Sequence, residues 1–101
     1  MYNAPRVIYV DVDGTLRKGD GVDPAVAAWC KEKHAAGFEL VLWSSAGEAH
    51  ALKWAEAAGI RPMFSHVLSK PGVILDDKCW QWTIYTRALA SIDDDYPASP
   101  E

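Results

Sequence analysis

A three-layer α/β fold with a mostly parallel central sheet is predicted by three observations. Short apolar runs of strand length alternate with segments of helical pattern. The runs lack polar alternation, as strands of a parallel sheet buried on both faces do. Each run also ends, at its carboxyl end, in polar residues. Strand, helix, strand, helix, strand implies right-handed crossovers and a parallel sheet with helices on both faces.

Residues 6–12 read as the first strand, an unbroken apolar run suited to a central position. Residues 13–22 hold Gly14, Gly19 and Gly21 among Arg17, Lys18 and Asp20, which predicts a flexible loop. Asp23-Pro24 predicts a helix start, because Asp caps and Pro suits the first helical position. Val26, Trp29, Cys30 and Lys33 fall on one face of that helix, and Gly37 stops it. Phe38 to Trp43 is the second strand. Ser45-Ala46-Gly47-Glu48 has capping-box form, which places the next helix start at Ser45. Leu52, Ala55 and Ala58 follow at helical spacing, and Gly59 ends the helix. Phe64–Leu68 reads as the third strand, and Val73–Leu75, after the Pro71-Gly72 turn, as the fourth. Beyond it, Tyr85, Leu89 and Ile92 fit a helix around 81–91, while Trp80, Trp82 and Ile84 fit strand alternation. Residues 1–92 form one domain on this reading. Residues 93–101 are an acidic, Pro-containing tail expected to fray.

The composition narrows the function classes. A chain of 101 residues is one domain in size, and 50% hydrophobic content is that of a folded protein. A net charge of −4 disfavours a broad nucleic-acid footprint, which needs a basic face. No apolar stretch has the length of a membrane span. Cys30 and Cys79 do not make a disulfide framework: Cys30 is expected in the core and Cys79 partly exposed. Without the charged and apolar regions of a signal peptide, the expected compartment is the cytoplasm.

In open parallel sheets ligands bind at the carboxyl ends of strands. Four polar spots stand there: Asp11 to Thr15, Ser44-Ser45, Ser69-Lys70 and Asp76-Asp77. The first is the most informative. Asp11-Val12-Asp13-Gly14-Thr15 sets two carboxylates one residue apart at the end of a strand, and such a site needs a counter-cation. Hard carboxylate oxygens select Mg²⁺, which binds through one or two carboxylates plus substrate phosphate.

These spots resemble, in the same chain order, the four motifs of the haloacid dehalogenase-like (HAD) phosphatase superfamily. Asp11-Val12-Asp13-Gly14-Thr15 is similar to the first motif and Leu40-Val41-Leu42-Trp43-Ser44 to the second. Lys70-Pro71 is similar to the third and Ile74-Leu75-Asp76-Asp77 to the fourth. The resemblance spans residues 6–78 and implies a Rossmann-like (HAD-like) fold. It implies an Mg²⁺-dependent phosphohydrolase acting on a phosphate monoester through an aspartyl-phosphate. Asp11 would be the nucleophile, Asp13 the general acid and base, and Lys70 the cation that neutralises nucleophile and phosphoryl group. Ser44, Ser45, Gly14 and Lys70 would bind phosphate. Asp11, Asp13 through its main-chain carbonyl, Asp76 and Asp77 would hold or support the metal.

Many relatives insert a cap domain after the first motif or after the third strand, and neither place has room for one here. The capless form implies an open site that takes a large phosphorylated substrate or borrows a lid from a neighbouring subunit, so monomer and homo-oligomer both stay open. Trp80-Gln81-Trp82 departs from the small-residue helix usual after the fourth motif. A phosphate-accepting signalling module and a non-catalytic binding module are the alternatives on the same scaffold. His34, His50 and His66 lack metal-ligand spacing and read as structural or surface residues. Arg17 and Lys18 read as a solvated loop, Trp29 and Trp54 as core on helix faces, and Trp43 as an edge of the active site.

Overall fold

The apolar runs that alternate with helices do pair in parallel. The computed structural model describes residues 6–77 and 86–95. It divides into two units, Pro5–Ile74 and Met1–Ala4 with Leu75–Glu101. The first is a small α/β domain with a parallel three-stranded sheet and two helices. Strands β1 (Val7–Asp11), β4 (Glu39–Ser44) and β5 (Phe64–Ser69) lie in the order β1-β4-β5. Central β4 is the most buried of the three, with Leu40, Val41, Leu42 and Ser44 all buried.

The register sets the three carboxyl ends side by side. Asp11 lies opposite Trp43, Trp43 opposite Leu68, and Ser44 opposite Ser69. One irregularity, between Leu40 and Val41, leaves Ser65 of β5 outside the ladder. Its hydroxyl donates to Glu39 Oε2 at 2.6 Å on the neighbouring strand.

Both crossovers step the same way across the sheet, so right-handed connections place α1 (Pro24–Ala35) and α2 (Glu48–Ala57) on one face. Val10, Leu40, Leu42, Phe64 and Val67 are buried, whereas Tyr9 and Leu68, on the opposite face, are exposed. Val26, Ala27 and Cys30 of α1 and Ala51 and Ala55 of α2 complete the core. Trp29 and Trp54, expected in that core, are only half-buried, because small residues on each helix take the positions nearest the sheet.

Helix α1 starts as its sequence predicts. The Asp23 carboxylate accepts from the Ala25 N–H at 2.9 Å, and Pro24 follows as the first helical residue. The ends of both helices share one geometry. Phe38 N–H donates to Lys33 C=O and Gly37 N–H to His34 C=O. In α2, Ile60 N–H donates to Ala55 C=O and Gly59 N–H to Glu56 C=O. These are Schellman pairs, and the fully buried Ile60 anchors the second one.

Three local expectations need correction. Residues 13–22 are not a loose loop: β2 (Arg17–Lys18) and β3 (Gly21–Val22) form a small antiparallel hairpin. Leu16, fully buried, holds it down, and its main chain bonds Asp11 C=O and Asp23 N–H. Val73–Leu75 forms no strand; these residues are exposed, and an apolar run becomes a strand only where a ladder partner meets it. The third concerns the start of α2 and is taken up with the site.

In the second unit, Ile92–Asp94 forms a 3₁₀ turn, and residues 96–101 of the expected tail lie outside the described residues. The Ser91 hydroxyl accepts from Asp93 N–H, and the Asp94 carboxylate accepts from Ser91 N–H. Arg87 pairs with Asp95 at 2.7 Å. Residues 86–91 are not helical. Cys79 and the Trp80–Tyr85 segment, whose pattern fits either helix or strand, lie outside the described residues.

Candidate active site

At the carboxyl edge of the sheet the chain leaves β1 in a tight turn. Thr15 and Arg17 N–H donate to Val12 C=O, Leu16 N–H to Asp11 C=O, and Gly14 N–H to Arg17 C=O. Val12 is fully buried between two carboxylates that are not, so the turn is pinned by its middle residue and presents Asp11 and Asp13 outward. Thr15 Oγ1 lies 3.4 Å from Asp11 Oδ2.

Lys70, one residue past the end of β5, reaches Asp11. Its Nζ is 3.1 Å from Asp11 Oδ1. Its main-chain N–H donates to Ser44 C=O at 3.0 Å, so the last rung of the sheet fixes the stem of this lysine. The ammonium also lies 5.7 Å from the centre of the Trp43 ring, in cation–π range. Trp43 in turn meets Tyr9 edge to face, with ring centres 4.7 Å apart. Trp43 thus borders Asp11 and Lys70.

Ser44 is a buried polar residue, and its hydroxyl accepts from Ala46 N–H at 3.0 Å. That bond replaces the expected capping box. Helix α2 begins at Glu48, and its cap residue is Gly47, with no side-chain cap. Gly47 sits at φ +108° and ψ 169°, a conformation open essentially to glycine alone, so the chain turns there before the helix starts. Ser45 is exposed beside this turn. The S-x-x-E spacing is present, but Ser44 takes the turn-making bond and Gly47 the cap position.

Asp13 is held by two side chains. Arg17 Nη1 donates to Asp13 Oδ1 at 3.0 Å. His50 Nε2 stands 3.1 Å from both Asp13 Oδ1 and Asp13 Oδ2. These partners, His50 foremost, hold the Asp13 carboxyl below the usual carboxylate range. Arg17 also lies 5.3 Å above the Trp54 ring. Asp23, further along, is lowered for a different reason: Lys18 pairs with it at 3.2 Å and the helix start donates to it.

In the first unit Lys70 contacts Asp11 and bonds the Ser44 carbonyl, while Asp13 and Gly14 follow the end of β1 and Ser45 the end of β4. Asp76 and Asp77 belong to the second unit. Among the described residues no three His, Cys, Asp or Glu side chains are grouped as a ready metal site. His50, expected as a structural or surface residue, and Arg17, expected in a solvated loop, both bond Asp13. The available signal for His50 was its place in the first turn of the helix that follows Ser44, at the same edge of the sheet as Asp13. No protein-family model matches this chain, and neither does any curated protein or solved structure. No helix among the described residues is long and apolar enough to cross a membrane.

Proposed function

We propose that this chain is a capless phosphohydrolase with a HAD-like, Rossmann-like α/β fold, acting on a phosphate monoester with Mg²⁺. The observation that carries the reading is the contact of Lys70 Nζ with Asp11 at 3.1 Å, across strand ends that also present Asp13 and Ser44. A carboxylate nucleophile repels a phosphate dianion, and a fixed cation beside it lowers that cost. Phosphoryl transfer depends on such positioning and charge compensation more than on acid or base strength.

Asp11 attacks phosphorus through a carboxylate oxygen, and the bond from phosphorus to the leaving oxygen breaks. That oxygen takes its electron pair and a proton from Asp13. Water then attacks the aspartyl-phosphate, Asp13 takes the water proton, and the bond from phosphorus to Asp11 breaks. Lys70 offsets charge on the phosphoryl oxygens in both steps. Ser44 and the main-chain N–H of Ser45 bind those oxygens, beside the turn at Gly14.

The donor set fits a hard cation, since it is built from oxygen atoms and the Asp11 carboxylate is about one-third exposed. By the resemblance, Asp11 and the Asp13 carbonyl would hold Mg²⁺, and the ion would supply further charge neutralisation. The capless form implies a large phosphorylated substrate or a lid borrowed from a neighbouring subunit.

Hydrolysis of an aryl phosphate with and without Mg²⁺, by wild type and Asp11→Asn side by side, tests the reading. Mg²⁺-dependent turnover that Asp11→Asn abolishes supports it. Full turnover in Asp11→Asn overturns it. A stable phospho-adduct on Asp11 without turnover would favour the signalling module instead.

A further inference from the structure

The pair formed by His50 and Asp13 invites the bland interpretation first. Exposed ion pairs contribute little to stability, and a histidine on a helix is commonly a surface residue. Three observations set this one apart. His50 Nε2 is equidistant, at 3.1 Å, from the two oxygens of Asp13, so one N–H bridges the fork of the carboxylate. Arg17 holds Oδ1 at 3.0 Å from the hairpin side. And Arg17 itself rests over Trp54, which lies four residues after His50 and therefore on the same face of α2.

The contacts close a ring. Asp13 bonds Arg17, Arg17 stacks on Trp54, and Trp54 and His50 are mounted one turn apart on α2, from which His50 returns to Asp13. A carboxylate gripped at one oxygen swings about its Cβ–Cγ bond. Gripped at both oxygens by His50 on α2, and at Oδ1 by Arg17 of the hairpin resting on the same helix, it keeps its plane. The first turn of α2 is itself fixed at its start, since the Ala51 N–H donates to Gly47 C=O and the Gly47 N–H to Ser44 C=O. The rigid end of β4 is thus connected to the orientation of Asp13.

We propose that His50 is a positioning residue that holds the Asp13 carboxylate in the plane needed for proton transfer, with Arg17 on Trp54 as its counterpart. The proposal rests on the phosphohydrolase reading, in which Asp13 moves the proton. His50 touches neither the phosphoryl group nor the nucleophile on this account. It acts through Asp13 alone.

The test is steady-state kinetics on an aryl phosphate for wild type, His50→Ala, His50→Gln, Asp13→Ala and the His50→Ala/Asp13→Ala double variant, with thermal unfolding of each. A positioned general acid–base group contributes about 10²–10⁴-fold, so releasing one of its two restraints is expected to lower kcat roughly tenfold. KM and the unfolding midpoint stay near the wild-type values. His50→Gln, which restores an N–H donor near Nε2, regains most of the loss. In the Asp13→Ala background, His50→Ala has no further effect.

Undiminished kcat in His50→Ala overturns the proposal. So does an effect on KM alone, which would make His50 a substrate contact. So does a loss that multiplies with that of Asp13→Ala, or one that Gln fails to recover. Where Asp13→Ala turnover is too slow to measure, the Gln arm decides. The Asp11→Asn control separates the two levels. If it retains turnover, the phosphohydrolase reading fails, and the proposal falls with it.

Discussion

Replacing Ser44 by Ala separates what this residue does for the fold from what it does for a ligand. Ser44 is 1% exposed, at the end of the central strand. Its oxygen accepts from Ala46 N–H at 3.0 Å, and its hydroxyl hydrogen is given to no acceptor among the described residues. The substitution deletes one hydrogen bond and leaves Ala46 N–H without it. An orphaned buried donor costs about 1–3 kcal/mol. Ala46 itself is exposed and water can reach it, which puts the expected loss at the lower end, about 1 kcal/mol. For a domain of this size a loss of that order lowers the unfolding midpoint by roughly 4–8 °C. Urea unfolding followed by tryptophan fluorescence measures the loss, with an unchanged m value showing that the transition stays the same. If the free hydroxyl hydrogen also serves phosphate, inhibition by inorganic phosphate weakens in the same variant. A midpoint within about 1 °C of wild type would refute the structural argument. Unchanged phosphate inhibition would remove Ser44 from the binding set.

Three further outcomes follow from single contacts. Burial pushes the Cys30 thiol up to about 11, so Cys30 resists alkylation at pH 8 until the domain unfolds; peptide mapping across a urea series measures this, and labelling in the native state would contradict it. Asp23 is held below its usual value of 3.8 by Lys18 and the helix start, so at acid pH the unfolded chain binds more protons than the folded one. Its contribution is present above pH 3.8 and is lost as pH falls through the lower folded value; the urea midpoint should drop there less steeply in Asp23→Asn than in wild type, and an equal drop counts against the pairing. Gly47→Ala forces a side chain into the conformation at φ +108° and should cost about 1–3 kcal/mol even though nothing lies within 4 Å of an added Cβ, which chemical denaturation reads directly.

The parts of this protein that were legible in its sequence are those whose cause is local. β1 and β4 are uninterrupted apolar runs, and α1 is bracketed by Asp23-Pro24 and Gly37, each of which acts within a few residues of itself. The candidate site was legible for the same reason at one remove. If three strands run parallel and end together, then the residue after each apolar run stands at the same edge, and Asp11, Ser44 and Lys70 follow from that alone. The start of α2 was misjudged because a spacing pattern does not say which of two adjacent serines bonds the turn, and Gly47 decided it by a backbone angle that no neighbour predicts. Leu16 was hidden among glycines and charges, yet its burial fixes the hairpin. His50 was hidden by distance: its partner lies 37 residues earlier, and no period or motif links the two. Only the stacking of β4 beside β1, with α2 starting where β4 ends, brings them within reach. A residue of that kind is invisible to motif reading by construction, because the motif describes the strand end that bears Asp13, while the group that holds Asp13 comes from the helix after the neighbouring strand.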